Sequence, residues 1–432
     1  MAKPIPFDDP PPLSELGQRT SPPPISWLMR EALRQPDLIS LAAGFTDNKT
    51  LPRKATKDLL EEILGQPKTG QQWLQYGTAE GNERLRHLTA QQLYSLDRGE
   101  QDSAHIHADD IFVTNGSQQF LYLISEALCD PGDLVIVEDP TYFVYLGILQ
   151  SRGVNARGIA MESDGYSLAS LEATLEGLTR TKEIKRLKFI YLVTYFQNPT
   201  GITTSAAKKH AALELLRRYE KKAGHPIYLV EDAAYRELNF PHYQAPSSSL
   251  VHSDYRDRII YTGTFSKPFA TGIRVGFGIL PDSLREPVAS IKGNHDFGTA
   301  HLLQGILAAA MERGDYAAQL KRSRRKYEGK CQAMLEAMNL HFPDQVEFTT
   351  PQGGLCLWAT LPKRITTGKI SAFFKAALAS GVLYVPGEFA YADDPTRPKP
   401  KSGMRLSFGS ASRENITLGI QRLGEVMHQR IN

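Results

Sequence analysis

The sequence predicts an α/β protein with a buried, mostly parallel sheet and, after it, a smaller α+β domain. Between residues 108 and 280, short segments that are apolar throughout alternate with segments of helical periodicity. This alternation is typical of parallel strands with helices packed on both faces of the sheet. Beyond Gly314, a long charged helix is followed by short strands with a helix between them, which is typical of an α+β layer.

The elements can be assigned in order along the chain. A proline-rich arm of about two dozen residues is expected to be extended. Residues 25–34 then predict a helix, because apolar residues recur there at helical spacing. Turn signals such as Asp130-Pro131-Gly132-Asp133 separate the elements that follow. Strands are predicted over residues 111–114, 134–137, 189–193, 227–230 and 259–261, and helices over 120–128, 142–150 and 205–223.

The last part of the chain predicts a long helix over residues 316–338. Strands are expected at residues 346–348, 354–358 and 404–408. The stretch 393–403 is rich in proline and basic residues, so we expect an exposed loop there.

Composition excludes several classes of protein. The 432 residues suffice for two or three domains with a sizeable core. Lys and Arg total 50 and Asp and Glu total 47, so the net charge is only +3. This balance provides no basic face for nucleic acid, and no nucleic-acid partner is expected. The hydrophobic fraction of 41% is that of a globular protein and excludes a wholly disordered chain.

Cysteine usage and the length of apolar runs indicate the setting. Cys129, Cys331 and Cys356 lie far apart, which argues against a disulfide framework or a zinc site. The histidines show no metal-ligand spacing, so no metal is expected. The longest uncharged stretch, residues 189–207, is interrupted by polar residues, proline and glycine and is not a membrane span. We therefore expect a cytoplasmic protein without a membrane partner.

Three polar motifs follow predicted strands, in the order Asn, Asp, Lys. They contain Asn198 in Phe196–Gly201, Asp232 in Val230–Tyr235, and Lys267 directly after Thr262–Ser266. In α/β sheets, ligands bind outside the carboxyl ends of the strands. A pyridoxal phosphate (PLP) site needs a lysine to bond to the cofactor, an acid for its pyridinium proton and a hydrogen-bond donor at its ring oxygen. The motifs therefore favour a PLP site.

With these motifs the sequence resembles the class I and II aminotransferases, which are PLP enzymes of fold type I. Within them it is most similar to the group of 2-aminoadipate, kynurenine and aromatic aminotransferases, from about Ile25 to the end of the chain. The resemblance implies a seven-stranded, mostly parallel sheet in the large domain. It places the N-terminal arm and part of the small domain at 1–48, the PLP-binding domain at 49–314 and the C-terminal small domain at 315–432.

The resemblance also implies three catalytic residues. Lys267 corresponds to the lysine that bonds to the cofactor and later moves the proton between substrate and cofactor. Asp232 corresponds to the partner of the pyridine nitrogen, whose charge keeps the ring protonated. Tyr142 corresponds to the aromatic ring that stacks on the pyridine. Asn198 and Tyr235 correspond to the pair that hydrogen-bonds the ring oxygen.

The cofactor phosphate is expected at a glycine turn that opens a helix, since free N–H groups and the helix dipole favour an anion there. The residues that correspond to phosphate ligands are Gly116, Ser117, Gln118, Thr264, Ser266 and Arg274. Tyr76 corresponds to the tyrosine that reaches the phosphate of the other subunit, which implies a homodimer with shared active sites.

For the substrate, the resemblance implies contacts with Gly44, Asn198 and Arg405, whose guanidinium suits the α-carboxylate. The reaction implied is ping-pong transfer of an amino group from an L-amino acid to a 2-oxo acid such as 2-oxoglutarate. The family often has Gly-x-Pro where this chain has Gly44-Phe45-Thr46, so substrate preference needs its own argument.

Residues near the N-terminal helix suggest that preference. Relatives that favour 2-aminoadipate tend to carry arginine where this chain has Ser26, and a serine cannot neutralise a buried second carboxylate. With Trp27, Tyr142 and Tyr391 expected nearby, we predict aromatic or large aliphatic donors. Arg30 is a candidate partner for the distal carboxylate of 2-oxoglutarate.

Alternatives stay open on the sequence alone. A PLP-dependent lyase or decarboxylase would use the same electron-sink residues, because fold does not settle reaction. A 2-aminoadipate-specific aminotransferase is a second alternative. A transcription regulator with an aminotransferase-like domain would need a DNA-binding domain ahead of it. The resemblance begins near Ile25, so we do not expect that domain.

Overall fold

The computed structural model describes residues 12–35, 37–42, 44–97 and 106–431. The first eleven residues of the proline-rich arm therefore lie outside the described residues. The helices are α1 (Glu15–Arg19), α2 (Pro24–Arg34), α3 (Arg53–Leu64), α4 (Glu83–Leu96), α5 (Ser117–Leu128), α6 (Phe143–Arg152), α7 (Leu168–Arg180), α8 (Ala206–Ala223), α9 (Asp282–Asp296), α10 (His301–Glu312), α11 (Asp315–His341), α12 (Ala372–Ala379) and α13 (Arg413–Ile431).

The strands follow the predicted apolar runs closely and add short pairing segments. They are β1 (Ile39–Ser40), β2 (Ile111–Thr114), β3 (Leu134–Asp139), β4 (Asn155–Glu162), β5 (Gly165–Tyr166), β6 (Leu187–Val193), β7 (Tyr228–Asp232), β8 (Ile259–Thr264), β9 (Gly276–Ile279), β10 (Glu347–Phe348), β11 (Cys356–Thr360), β12 (Val382–Leu383), β13 (Val385–Pro386) and β14 (Gly403–Ser407).

The large sheet is mostly parallel, as the sequence predicts. Within the described part of the chain it has eight strands in the order β2-β9-β8-β7-β6-β3-β4-β5. Neighbours from β8 through β4 pair in parallel, whereas β9 and β5 run antiparallel to their neighbours. The eighth strand, β5, is a two-residue hairpin partner of β4 at the edge, too short to give an apolar run in the sequence. The other seven match the expected count.

A second sheet is built from the last third of the chain. Its order is β10-β11-β14-β13, with antiparallel pairing throughout. The N-terminal segment joins this region, because β1 pairs in parallel with β12. Residues near position 40 therefore lie beside residues near position 382, in the C-terminal part of the chain.

Helix ends follow local sequence signals. Ser205 caps α8 by accepting a hydrogen bond from the Lys208 backbone N–H, and Gly224 ends the helix in the left-handed region. The central strands β3, β6 and β8 are almost completely buried, as expected for strands covered on both faces. Among the described residues, no helix combines the length and apolar character needed to cross a bilayer.

The loop over residues 393–403 is exposed as predicted, but only in part. Asp394 is buried, and its carboxylate accepts a hydrogen bond from the Gly158 backbone N–H in β4 of the large sheet. Arg397 pairs with the carboxylate of Asp139 at the carboxyl end of β3. Charged residues therefore attach the loop to the large sheet, although its composition alone predicts only an exposed loop.

Candidate active site

A cavity of about 240 Å³ lies at the carboxyl ends of β6, β7 and β8. The topology explains its place, because parallel strands bring the polar motifs that follow them to one edge of the sheet. It is lined by twelve of the residues predicted from the sequence: Gly44, Ser117, Gln118, Tyr142, Asn198, Asp232, Tyr235, Thr264, Ser266, Lys267, Arg274 and Arg405.

Asp232 forms the anionic floor of this cavity. Its carboxylate accepts hydrogen bonds from the Tyr191 hydroxyl at 2.8 Å and from the Ala234 backbone N–H at 3.1 Å. Burial raises the pKa of Asp232 to about 6, and these two hydrogen bonds oppose the rise. The group is thus mostly ionised at neutral pH, and a cationic N–H placed beside it would favour the ionised form further.

Lys267 reaches the cavity from the turn after β8. Its Nζ donates to the Gly44 carbonyl at 2.9 Å and lies 5.9 Å from the centre of the Tyr235 ring. Burial, followed by the charges of Arg405 and Arg274, lowers its pKa to about 8. A substantial fraction of this amine is therefore neutral near physiological pH, as a nucleophile or a base must be.

Asn198 links the two ends of the cavity. Its Nδ2 donates to the Tyr235 hydroxyl at 3.2 Å, and its Oδ1 accepts from Arg405 Nη1 at 2.9 Å. Arg405 is buried and its Nη2 donates to the Ala42 carbonyl, but its Nε has no hydrogen-bond partner among the residues that the structure describes. One amide side chain therefore holds both a phenol and a guanidinium in place.

The glycine turn predicted from the sequence opens α5 beside the cavity. Gly116 is the N-cap of α5 with φ of +75° and ψ of 165°, a backbone conformation that strongly favours glycine, and Arg274 Nη2 would lie 2.7 Å from a Cβ there. Arg274 Nη1 donates to the Ser266 hydroxyl at 3.2 Å. A helix N-terminus alone contributes only about 0.3–1 kcal/mol to holding an anion, so the Arg274 charge is needed as well.

The charges around the cavity fit PLP and an amino-acid substrate. In the part of the chain that the structure describes, Lys267, Arg274 and Arg405 each lack a carboxylate within ion-pair distance. Lys267 is half-buried and Arg405 is buried, whereas Arg274 is exposed, and a buried or half-buried cation without an anion is unfavourable unless a ligand supplies the anion. A phosphate near Arg274 and a carboxylate near Arg405 would do so, while Asp232 matches a protonated ring nitrogen.

Part of the cavity lining was not predicted from the sequence. Ile25, Phe45, Phe143 and Val144 also face the cavity and give one side of it an apolar wall. Phe143 and Val144 directly follow the predicted Tyr142, so their position could have been inferred. Ile25 and Phe45 come from segments that only the tertiary fold brings here.

Two predicted aromatic neighbours do not line the cavity. Trp27 packs on Phe374 and Phe389, with ring centroids 5.6 and 6.2 Å away, and Tyr391 packs on Trp358. On α2, Ile25 faces the cavity, and Trp27, two residues further along the helix, faces α12. Arg30 is exposed and has no ion-pair partner in the described chain.

A buried polar cluster supports the Asn198 turn and was not predicted. Gln197 donates to the Glu138 carboxyl at 2.9 Å and to the Pro140 carbonyl at 2.8 Å, while its Oε1 accepts from Thr200. Burial raises the pKa of Glu138 to about 8, so this carboxyl is largely protonated at neutral pH. The signals were a glutamate at the end of an otherwise apolar strand and a glutamine beside Asn198.

Gly116 and Tyr76, two further predicted residues, also lie outside the cavity lining. Gly116 adjoins it through Arg274, as described above. Tyr76 is 80% exposed, and its ring meets Phe297 edge-on with centroids 5.2 Å apart. Tyr76 therefore does not contribute to the cavity of its own chain.

Comparison with known proteins identifies the family. Residues 36–423 match the family model "Aminotransferase class I and II". The chain is 34% identical to "Aromatic-amino-acid aminotransferase 1" of Thermococcus litoralis over 91% of this chain and 89% of that protein. It is 30% identical to the "2-aminoadipate transaminase" of Thermus thermophilus over 92% and 93%.

A solved structure agrees with these sequence matches. The kynurenine aminotransferase of Pyrococcus horikoshii, crystallised with PMP, superposes with a TM-score of 0.86 at 30% identity. The match covers 97% of this chain and 98% of that one. Together with the cavity, these findings show that the chain belongs to the class I and II aminotransferases and is a PLP-dependent enzyme of fold type I.

Proposed function

We propose that this aminotransferase prefers aromatic or large aliphatic L-amino acids as amino donors. The observation that carries the proposal is the group of apolar side chains in the cavity lining, Ile25, Phe45, Phe143 and Val144. A second carboxylate on the donor would have to be buried there without a partner, which is strongly unfavourable. An aromatic or aliphatic side chain would gain by leaving water.

Each polar residue has a place in the proposed reaction. When bound, PLP supplies an aldehyde that takes up the amino group and a protonated ring that accepts electrons. Asp232 would hold the proton of the ring nitrogen, and Tyr142 would pack on the ring face. Asn198 and Tyr235 would hydrogen-bond the ring oxygen.

The same proposal assigns the groups that hold the anions and move the proton. Arg405, held by Asn198, would bind the α-carboxylate of the substrate through its guanidinium fork. Lys267, released from the cofactor when the substrate binds, would remove the proton from the substrate Cα and return it for the acceptor. The phosphate would lie on the turn described by Gly116, Ser117, Gln118, Thr264, Ser266 and Arg274.

The acceptor in the proposed ping-pong cycle is a 2-oxo acid such as 2-oxoglutarate. Arg30, exposed on the same helix as Ile25 and without a described ion-pair partner, is the candidate for its distal carboxylate. Arg30 does not line the cavity, so this assignment requires the distal carboxylate of the acceptor to extend out of the cavity to reach it.

The proposed working unit is a homodimer in the cytoplasm. Tyr76 and Phe297 are exposed aromatic residues outside the cavity of their own chain, which supports a role for Tyr76 at the neighbouring phosphate site. The three cysteines are buried free thiols, consistent with a reducing compartment. The separation of the eight-stranded sheet from the four-stranded sheet supports a PLP-binding domain at 49–314, and the pairing of β1 with β12 supports a small domain built from 1–48 and 315–432.

One absorbance experiment tests the reaction and the donor class. The PLP-loaded enzyme is mixed with phenylalanine, leucine or 2-aminoadipate, and conversion of the cofactor to its amine form is followed in a single turnover. We expect the first two donors to convert it with higher kcat/KM. An advantage of more than about tenfold for 2-aminoadipate would contradict the apolar-wall argument. Elimination or decarboxylation products would instead support the lyase or decarboxylase alternative.

A mixing experiment tests the shared site. Tyr76→Phe subunits and Lys267→Ala subunits are mixed under conditions where exchange of subunits is demonstrated. If Tyr76 serves the neighbouring chain, both lesions fall in one site of each heterodimer, and the other site regains activity. Exchange without recovery would place the action of Tyr76 within its own chain.

A further inference from the structure

The segment Gly44–Asp47, which we name the substrate arm, runs from the cavity to the helix α11. Gly44 and Phe45 line the cavity, and the Gly44 carbonyl accepts the hydrogen bond from Lys267. The arm belongs to no helix or strand, so its position depends on the contacts at its ends. At the near end, the Leu41 and Ala42 carbonyls accept hydrogen bonds from the Ser407 backbone N–H and from Arg405.

The far end of the arm is fastened to α11 by charge. Asp47 Oδ2 lies 2.8 Å from Lys330 Nζ and 2.9 Å from Lys326 Nζ. The Asp47 backbone N–H donates to the Tyr327 hydroxyl at 3.4 Å. Burial alone would raise the pKa of Asp47, but the hydrogen bonds from both lysines outweigh it and lower the pKa to about 2. The carboxylate therefore stays charged at any pH where the enzyme would work.

The two lysines differ in a way that separates their roles. The Lys330 side chain is 2% exposed and also donates to the Gly409 carbonyl at 2.9 Å, whereas the Lys326 side chain is 34% exposed. A Cβ on Gly409 would lie 2.5 Å from the Phe45 carbonyl, so this backbone abuts the arm directly. Lys330 thus joins three parts of the chain: α11, the turn after β14 and the end of the arm.

The energetics favour Lys330 as the anchor. An exposed ion pair contributes about 0–1 kcal/mol because water screens it and the side chain stays mobile. Breaking a buried pair costs far more, since the remaining charge is left without solvent or partner. The contact of Asp47 with Lys326 is therefore secondary to its contact with Lys330.

We propose that Lys330 is a positioning residue for substrate binding: through Asp47 and Gly409 it holds the substrate arm so that Gly44 and Phe45 close one side of the cavity. Loss of the anchor frees the arm, so the enzyme must order it each time a substrate binds. This cost falls on binding, whereas Asp232 at the end of β7 and the backbone of Lys267 after β8 are held by the large sheet and keep their places. The inference rests on the amino-transfer function proposed for the same cavity.

The test compares Lys330→Met with the matched control Lys326→Met in the PLP-loaded enzyme. For Lys330→Met, we expect the KM for phenylalanine to rise about tenfold while kcat changes by less than about twofold. Backbone amides of residues 47–50, followed by hydrogen exchange, should exchange about tenfold faster. Lys326→Met should leave both quantities near their wild-type values.

Two further variants guard against a folding defect. Lys330→Arg keeps the charge and should restore most of the KM and of the exchange protection. Asp47→Asn removes the charge at the other end of the pair and should raise KM as Lys330→Met does. A purely structural role predicts a lower melting temperature with unchanged KM in all three variants, and that result would overturn the proposal.

The experiment also separates this inference from the proposed function. If the wild-type enzyme converts no amino acid, the proposed function fails, while hydrogen exchange still measures whether Lys330 holds the arm. If the wild type is active and neither KM nor exchange responds to Lys330→Met or Asp47→Asn, only the inference about Lys330 fails.

Discussion

The two sides of the cavity are built in different ways. One side, named the cofactor wall, is built from residues at the carboxyl ends of strands in the large sheet and from the first residue of α5. These residues are Ser117, Asn198, Asp232, Thr264 and Lys267. The substrate wall, which consists of Ile25, Gly44, Phe45, Phe143 and Val144, comes from α2, an irregular segment and α6. The first wall is fixed by one rigid element, whereas the second depends on how separate segments pack.

The difference indicates that the residues for the chemistry lie on the cofactor wall and the residues for substrate choice lie on the substrate wall. Residues at the ends of neighbouring parallel strands must meet, so their motifs carry function with little dependence on the rest of the fold. A wall of apolar side chains from separate segments can change with small shifts in packing, which alters substrate choice without touching the cofactor. The predictions below separate the two walls by the size and kind of effect.

Lys267→Ala should give the largest effect on the cofactor wall. We expect PLP to bind without covalent attachment and amino transfer to fall about ten-thousandfold, because the nucleophile and base are removed together. Borohydride reduction and peptide mapping of the wild type should place the cofactor on Lys267. Label on any other lysine would refute the assignment.

Asp232→Asn should lower turnover about a thousandfold while covalent attachment at Lys267 is kept, since a neutral amide cannot favour a protonated ring. Steady-state turnover and the absorbance of bound cofactor measure the two properties. Tyr191→Phe, which removes only the hydrogen bond to Asp232, serves as a milder comparison. Turnover near the wild-type rate in Asp232→Asn would mean that another group holds the ring proton.

Arg405→Lys should act at the border of the two walls. Lysine keeps the charge but loses the fork that binds a carboxylate and Asn198 together. We expect KM to rise about thirtyfold for every donor and acceptor, because each carries an α-carboxylate. A rise confined to one substrate would show that Arg405 reads the side chain instead.

The burial of the cofactor wall also predicts a pH dependence. Only the neutral amine of Lys267 can bond to PLP, and its pKa is lowered to about 8 by burial and by Arg405 and Arg274. The rate of covalent attachment to cofactor-free protein should rise about tenfold per pH unit below pH 8 and level off above it. A rate that keeps rising to pH 10, as for a free lysine, would contradict the lowered pKa.

Phe45→Ala should give the smallest effect, confined to the substrate wall. Phe45 is 44% exposed at the cavity, so removing its ring takes away only part of the apolar surface. We expect kcat/KM for phenylalanine to fall about fivefold relative to alanine, with the rate of the alanine reaction unchanged. Equal losses for both donors would show that Phe45 contributes to cofactor binding rather than to selection of the side chain.

The sequence predicted the cofactor wall better than the substrate wall for a physical reason. Asn198, Asp232 and Lys267 each follow an apolar strand, so local pattern and the parallel sheet together placed them. Tyr191, which holds Asp232 from the next strand, was missed because its role depends on the register between β6 and β7. The sequence predicts Trp27 near the substrate because it follows Ser26, but in the structure Ile25 lines the cavity and Trp27 packs on Phe374.

The alternating architecture, the glycine turn at Gly116 and the polar groups at the strand ends can all be inferred from the sequence. They follow from periodicity, backbone conformation and side-chain chemistry, which act over a few residues. The distant segments that complete the cavity, and the contact of Lys330 with Asp47 across 283 residues, emerge only when the chain is folded. Such contacts arise when the burial of many side chains fixes the path of the chain, so they cannot be predicted from a local sequence pattern.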